Sequence, residues 1–412
     1  MSESSQSQPE SPVRPQSFSS SIADVHFDNW APLGGPVTLS LSPRCTVLVG
    51  RNGGGKSLLL EGLQEGARGA TTLLMDPRPL KLFQFQVDIR FPEASGLLHY
   101  QYQYKGEEKN LRAIREGHGN RYPDWRERCW TKDPSQPLWQ VAEGVLILKD
   151  GIQFPMGGVG PALMTMTTTP LRGPVGAATA VIFSLLIGVS YVEALMPVRP
   201  LGREAITLRG DNRTLTFSEA MTGTHPVSAS KLAEKLWDLF EEHKEQFEEL
   251  DAVGRRIGIW QKLAIEKYYK ERGKERGRAA GVLAEVTVDG VNLGLVSDGT
   301  LRLLKILLAL VPEVPNKGPL LIDEPELGIH PGLLARLLAE FEAYGAGRQL
   351  VIATHSPQVV SWAQPDELRF VERVDGHTVV RSLTEEQASR VHSYLQDQGN
   401  LGEFIYGGGV DG

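Results

Sequence analysis

Residues 46–63 read TVLVGRNGGGKSLLLEGL. A short apolar strand runs into Gly50–Ser57, G-R-N-G-G-G-K-S, and a leucine-rich helical stretch follows. The eight central residues fit GxxxxGK[ST] in full, and the flanking strand and helix are the context that gives this pattern physical meaning. Glycines let successive backbone N–H groups turn inward, which makes a concave anion site at the start of a helix. Gly50, Asn52, Gly53, Gly54, Gly55, Lys56 and Ser57 are therefore expected to hold a nucleotide. Lys56 would neutralise the β- and γ-phosphates, and Ser57 would ligate Mg²⁺. The expected cofactors are ATP and Mg²⁺.

Two further strand ends carry polar chemistry. Residues 319–324, PLLIDE, place four apolar residues before Asp323 and Glu324. A buried strand would deliver both carboxylates to the rim of a sheet. Asp323 suits the Mg²⁺ carboxylate of a phosphate-loop NTPase, and Glu324 suits a general base for the attacking water. Residues 348–360, RQLVIATHSPQVV, repeat the design. The strand stops at Thr354 and His355, where an imidazole can reach a γ-phosphate and hold the base. Lys56, Glu324 and His355 form the expected catalytic set. Buried strands alternating with helices imply a parallel α/β core.

Residues 296–310, VSDGTLRLLKILLAL, read locally as a capped helix. Ser297 is an N-cap type, Asp298 suits the positive helix end, and Arg302 stands four residues from Asp298 as a helical ion pair.

Taken together, GRNGGGKS, VSDGTLRLL, LLIDEPELGIHP and VIATHSP resemble the ABC-type P-loop ATPase head. Within that class they are similar to the soluble RecF-like, SMC-like and OLD-like group and to stand-alone defence ATPases such as Septu-like ATPase subunits. The C-terminal NLGEFIYGGG also looks like the ending of stand-alone members. The resemblance implies an α/β fold, with a parallel core sheet, an antiparallel β lobe and an inserted, mostly helical region. It divides the chain into a disordered tail at 1–20, an N-terminal head part with Walker A at 21–105 and an insertion at 106–281. The C-terminal head part at 282–412 carries the signature, Walker B and the histidine switch. Two nucleotides would be sandwiched between two subunits. Ser297 and Gly299 of one subunit would then meet the γ-phosphate held by the other, and Glu326–Ile329 would cross the dimer axis. A glutamine, Gln84 or Gln86, would complete the Mg²⁺ set. Transporter heads read Leu-Ser-Gly-Gly-Gln where this chain has Ser-Asp-Gly-Thr, which favours the soluble relatives. Asp298 is expected to turn toward Arg302, away from the phosphate.

Composition supports a soluble, cytoplasmic globular protein. The 412 residues are 41% hydrophobic and 23% charged, with a net charge of -7, so the whole chain is no polycation built to coat nucleic acid. Its two cysteines, Cys45 and Cys129, have no metal spacing and suggest a reducing compartment. The polar N-terminus has no apolar core of a signal peptide. Residues 174–192, PVGAATAVIFSLLIGVSYV, lack charge but contain Pro, Gly and Ser, so a buried helix or strand-helix is expected there rather than a membrane span.

In the middle of the chain, Lys149-Asp150-Gly151 marks a hairpin turn. Leu232, Leu236, Leu239, Phe240 and Phe247 line one face of a helix, and a second helix is expected through IWQKLAIEKYYKERGKERGR. This helical arm offers Lys267–Arg278 to DNA, though glutamates nearby make a solvated helix face the plainer reading. About 55 residues follow His355, too few for an appended nuclease domain. The expected partners are a second copy of the chain and a separate effector protein, a nuclease in a defence role. DNA is the partner in the alternative, repair-type reading. No membrane is expected.

Overall fold

The computed structural model describes residues 20–71, 83–92, 96–105, 124–156, 161–167, 171–194, 204–209, 212–217, 228–270, 281–313, 318–397 and 399–409. The tail expected at 1–20 falls almost wholly outside this range, as does the basic stretch 271–278.

The core is a six-stranded sheet. Its order is Ser190–Val192, Leu320–Asp323, Leu350–Ala353, Cys45–Val49, Leu368–Val374 and His377–Arg381. The first five strands are parallel, and the last turns back antiparallel. Side chains alternate between two apolar cores because successive Cβ atoms point to opposite faces. Cys45, Val47 and Val49 enter one core with Leu320, Ile322, Leu350 and Ile352. Leu48, Leu321, Val351 and Ala353 enter the other. Burial on both faces explains why these strands read as unbroken apolar runs. Helix Lys56–Thr71 covers the second core with Leu59, Leu60 and Leu63. Helix Asp298–Leu310 covers the first with Leu303, Leu304 and Leu307.

An eight-stranded antiparallel sheet forms the lobe. It starts with Val37–Ser40, Ser21–Asp28, Phe83–Arg90 and Leu97–Lys105, and continues through Asp124–Trp130, Trp139–Ala142, Val145–Leu148 and Gln153–Pro155. The hairpin expected at Lys149–Gly151 joins its last two strands. The stretch 106–281 therefore supplies strands to this lobe, and through Ser190–Val192 it also supplies the edge of the core sheet.

The uncharged stretch at 174–192 forms helix Gly173–Ile187 and that edge strand. The helix buries Ala178, Ile182, Leu185 and Leu186 in the second core. Among the described residues no helix is long and apolar enough to cross a membrane.

The expected helical arm differs in two ways. Ser228–Glu242 and Lys244–Ile257 are separate helices that bury Leu232, Leu236, Leu239 and Phe247 in the first core, so they are packed rather than projecting. The second helix is replaced by strand Leu263–Lys270, paired antiparallel with Gly281–Val288. Gly258 stops the preceding helix at φ +89°, with its N–H donating to the carbonyls of Gly254 and Arg255. Beyond it, the β-branched and aromatic residues of the pairing segment favour the extended form. This strand belongs to a third, antiparallel sheet with Glu204–Arg209 and Asn212–Phe217.

Candidate functional site

The parallel strands of the core place their C-terminal ends side by side, where open α/β sheets bind ligands. Val49 leads into the phosphate loop, Asp323 and Glu324 close the next strand but one, and Thr354 and His355 close the strand between them. The sheet thus brings together residues about 300 positions apart in sequence.

Lys56 Nζ donates to the carbonyls of Gly50 at 3.0 Å and Arg51 at 3.3 Å. It lies 2.7 Å from His355 Nε2, which can accept its third proton. Burial lowers the Lys56 pKa, while the charges of Glu324, Asp323 and Glu326 oppose that shift. Gly55 adopts φ +108°, and a Cβ there would stand 2.6 Å from Thr378 Oγ1. The loop can approach the last hairpin of the sheet only as glycine.

Ser57 Oγ donates to Asp323 Oδ1 at 3.1 Å. Burial raises the Asp323 pKa, the Ser57 hydrogen bond opposes this, and the Glu324 charge adds to it. A hydroxyl beside a carboxylate is a hard oxygen pair of the kind Mg²⁺ takes alongside phosphates. Glu324 Oε1 lies 3.7 Å from His355 Nε2. Its backbone is held at φ +47°, with its N–H donating to the Ala353 carbonyl at 2.7 Å. Lys56, Ser57, Asp323, Glu324 and His355 therefore form one constellation.

Ser297 behaves as the expected cap, accepting the Thr300 N–H at 3.1 Å. Gly299 sits against the loop after the acidic pair, and a Cβ there would stand 2.4 Å from the Gly328 carbonyl oxygen. Ser297 and Gly299 do not line either of the clefts that flank the phosphate loop in the same chain.

Arg302 departs from expectation. Its guanidinium turns into the protein instead of toward Asp298 and is only 3% exposed. Nη1 donates to the carbonyls of Glu193 at 3.1 Å and of Ala194, while Nη2 donates to those of Asp323 and, at 2.7 Å, of Glu324. A buried guanidinium has five N–H groups to satisfy, and these two strand ends supply four acceptors.

The glutamine expected for Mg²⁺ is also elsewhere. Gln84 and Gln86 lie on Phe83–Arg90 in the antiparallel lobe, and neither lines the cleft that holds Ser57 and Asp323. Gln86 Nε2 donates to Asp88 Oδ1 at 2.8 Å, and its Oε1 accepts from Gln101 at 3.2 Å. The polar face of the lobe absorbs it.

Sequence reasoning missed the structural role of Glu326. Its Oε1 accepts from Thr354 Oγ1 at 2.7 Å and from the His355 N–H at 2.8 Å. The sequence signal was an acid in the turn after a Walker B pair, but nothing local identified its partners.

A parallel core of this order, an antiparallel lobe, and strand ends bearing a glycine-rich loop, an acidic pair and a histidine give the α/β architecture expected of a P-loop head. A family profile described as "AAA domain, putative AbiEii toxin, Type IV TA system" matches residues 222–361. Among solved structures, an SMC head domain from Thermotoga maritima is similar at 12% identity, covering 88% of this chain and 99% of that chain, with TM-score 0.42. An SmcHead bound to the C-winged helix domain of ScpA gives 14% identity, 89% and 99% coverage, and TM-score 0.46. An Smc head domain with an extended coiled coil, bound to the C-terminal domain of ScpA derived from Pyrococcus furiosus, gives 13%, 92% and 100%, and 0.43. No curated protein matches the chain.

Proposed function

We propose that the chain binds Mg²⁺–ATP at the constellation of Lys56, Ser57, Asp323, Glu324 and His355 and hydrolyses it to ADP and phosphate. The observation that carries this reading is the meeting of the Walker-type lysine, serine and acidic pair at adjoining strand ends, with Ser57 and Asp323 3.1 Å apart. Ser57 and Asp323 would hold the metal, which neutralises phosphate charge when bound. The Lys56 ammonium would exchange the Gly50 and Arg51 carbonyls for phosphate oxygens. Glu324 would take a proton from water as its oxygen attacks the γ-phosphorus and the bond to the bridging oxygen breaks. His355, 3.7 Å from Glu324 Oε1, would orient that carboxylate.

Two copies would close around two nucleotides, with Ser297 and the start of helix Asp298–Leu310 facing the γ-phosphate of the other copy. Support comes from Ser297 and Gly299 standing outside the two clefts described beside their own chain's glycine-rich loop. The assembly would regulate a separate effector, a nuclease, in prokaryotic antiviral defence. The toxin–antitoxin wording of the matched profile supports a defence role. In the alternative reading, a repair-type ATPase binds DNA through Lys267–Arg278. Lys267 is already engaged, donating to Glu241 at 2.7 Å and lying 4.9 Å from the Trp237 ring centroid, which favours the effector reading.

The test is phosphate release together with light scattering. Glu324→Gln should abolish turnover and raise the dimer fraction in ATP, and Ser297→Arg should remove that rise. Absence of phosphate release by the parent overturns the hydrolase reading, and a mass unchanged by ATP in Glu324→Gln overturns the sandwich. A salt-dependent DNA complex of the parent, with no co-purifying effector, would favour the alternative.

A further inference from the structure

The core sheet has one more strand whose end reaches the site. Ser190–Val192 runs parallel to Leu320–Asp323, with Val192 level with Ile322. The next residues are Glu193 and Asp323, so the register sets them at the same height on the same end of the sheet. Both line a cleft of about 650 Å³ with Ser57, Glu324 and Tyr191.

This placement is fixed by covalent neighbours on each strand and by one shared cation. The Arg302 guanidinium donates to the Glu193 carbonyl at 3.1 Å and to the Glu324 carbonyl at 2.7 Å, and it also reaches the carbonyls of Ala194 and Asp323. Glu193 therefore cannot drift along the sheet without breaking bonds that also position the acidic pair. Its own side chain stays exposed to the cleft.

We propose that Glu193 is the positioning residue for the hydrated divalent cation of this site, the role for which a glutamine was expected. Its carboxylate accepts hydrogen bonds from water on the Mg²⁺ that Ser57 and Asp323 hold. This rests on the Mg²⁺–nucleotide reading of the site. A carboxylate accepts only and carries charge, whereas an amide is neutral and can present either end. The exchange should make nucleotide binding more dependent on Mg²⁺. Without the cation, Glu193 adds repulsion to the phosphates; with it, Glu193 adds attraction. The charge of Glu193 also reaches Lys305 of helix Asp298–Leu310, so a charge-free isostere is needed beside a truncation.

The experiment titrates Mg²⁺ against binding of a fluorescent ATP analogue to the full chain, with a parallel titration in chelator. Glu193→Ala should raise the Mg²⁺ concentration at half-saturation about tenfold, the usual loss for a residue that orients metal ligands. Affinity for the analogue in chelator should stay equal or rise. Glu193→Gln should restore much of the Mg²⁺ response, since its amide oxygen still accepts. Electron paramagnetic resonance with Mn²⁺ gives a second readout, with the Mn²⁺ signal in the ternary complex altered by Glu193→Ala. If the parent binds no nucleotide, the Mg²⁺–nucleotide reading fails, and this inference fails with it. If the parent binds and the Mg²⁺ midpoint is the same in Glu193→Ala, this inference alone is overturned.

Discussion

Glu326 accepts the backbone N–H of His355 at 2.8 Å through the same oxygen that accepts the Thr354 hydroxyl at 2.7 Å. The turn that follows the acidic pair thus holds the strand end that carries the histidine. A hydrogen bond to a charged group contributes about 1.5–3 kcal/mol. Glu326→Ala should therefore lower kcat by roughly 10-fold to 100-fold through loss of His355 positioning, with nucleotide affinity nearly unchanged. Steady-state kinetics check this, and an equal loss in binding would contradict it.

Arg302 ties the ends of two strands to the start of a helix. Arg302→Met removes donors from four carbonyls at once. The expected cost is about 2–4 kcal/mol, because buried carbonyls lose their partners while an apolar side chain of similar length fills part of the space. Denaturant unfolding measures it. A change below about 0.5 kcal/mol would place those carbonyls in contact with water instead.

Substitutions at Ser297 and Gly299 should separate. Ser297→Ala removes an N-cap and should cost about 1 kcal/mol of stability. Gly299→Ala drives a methyl against the Gly328 carbonyl and should displace the loop 326–329 within one chain. Gly299→Ala should therefore slow turnover even in single-chain conditions at high dilution, where Ser297→Ala should leave any residual turnover unchanged. Identical dilution curves for the two variants would contradict this.

A pH-sensitive pair lies on the lobe. His26 Nε2 is 3.1 Å from Asp88 Oδ2, and His99 Nδ1 is 2.8 Å from Asp88 Oδ1. The Asp88 hydrogen bond raises the His26 imidazole above its ordinary value against the effect of burial. Burial works against Asp88 ionisation, but hydrogen bonds from His26, Gln86 and His99 overcome it and hold the carboxyl below its usual range. The raised His26 contributes stability fully below its unfolded value of about 6.5, and that contribution is lost as pH rises through the folded value. The lowered Asp88 contributes above about 3.9, and its part is lost as pH falls through the folded value. A double-mutant cycle of His26→Gln and Asp88→Asn should show a coupling of about 0.5–1 kcal/mol near pH 5.5 that fades near pH 8.5. Coupling that does not vary with pH would assign it to packing.

The phosphate loop, the acidic pair and the terminal histidine were legible in sequence because each is a contiguous run. A strand, a polar end and a helix stand next to one another, and local rules are enough to read them. Glu193 was hidden because its strand is only three residues long, follows an apolar helix and finds its partner at Leu320–Ile322. Arg302 was misread for a related reason. Spacing identifies Asp298 as a helical neighbour, but it says nothing of the strand ends that surround the helix. Gln84 and Gln86 sit in an alternating strand, and alternation marks a polar face without saying what that face meets. Lys267 lay in a charged run that resembled an exposed helix, whereas Gly258 ends the helix earlier and the chain turns into a sheet.

The placement of Cys45–Val49 has a consequence for biosynthesis. Its neighbours on either side are Leu350–Ala353 and Leu368–Val374, which reach the ribosome exit long after it does. The antiparallel lobe can assemble from residues 21–155 while the rest is being made. The strand that bears the phosphate loop must wait, unpaired at both edges, until those distant segments have been made. Non-local pairing of this kind is slow and exposes apolar edges to neighbouring chains. The glycine-rich loop thus takes its shape late, and a nascent chain stalled before Leu368 would present the motif with one of its two flanking strands missing.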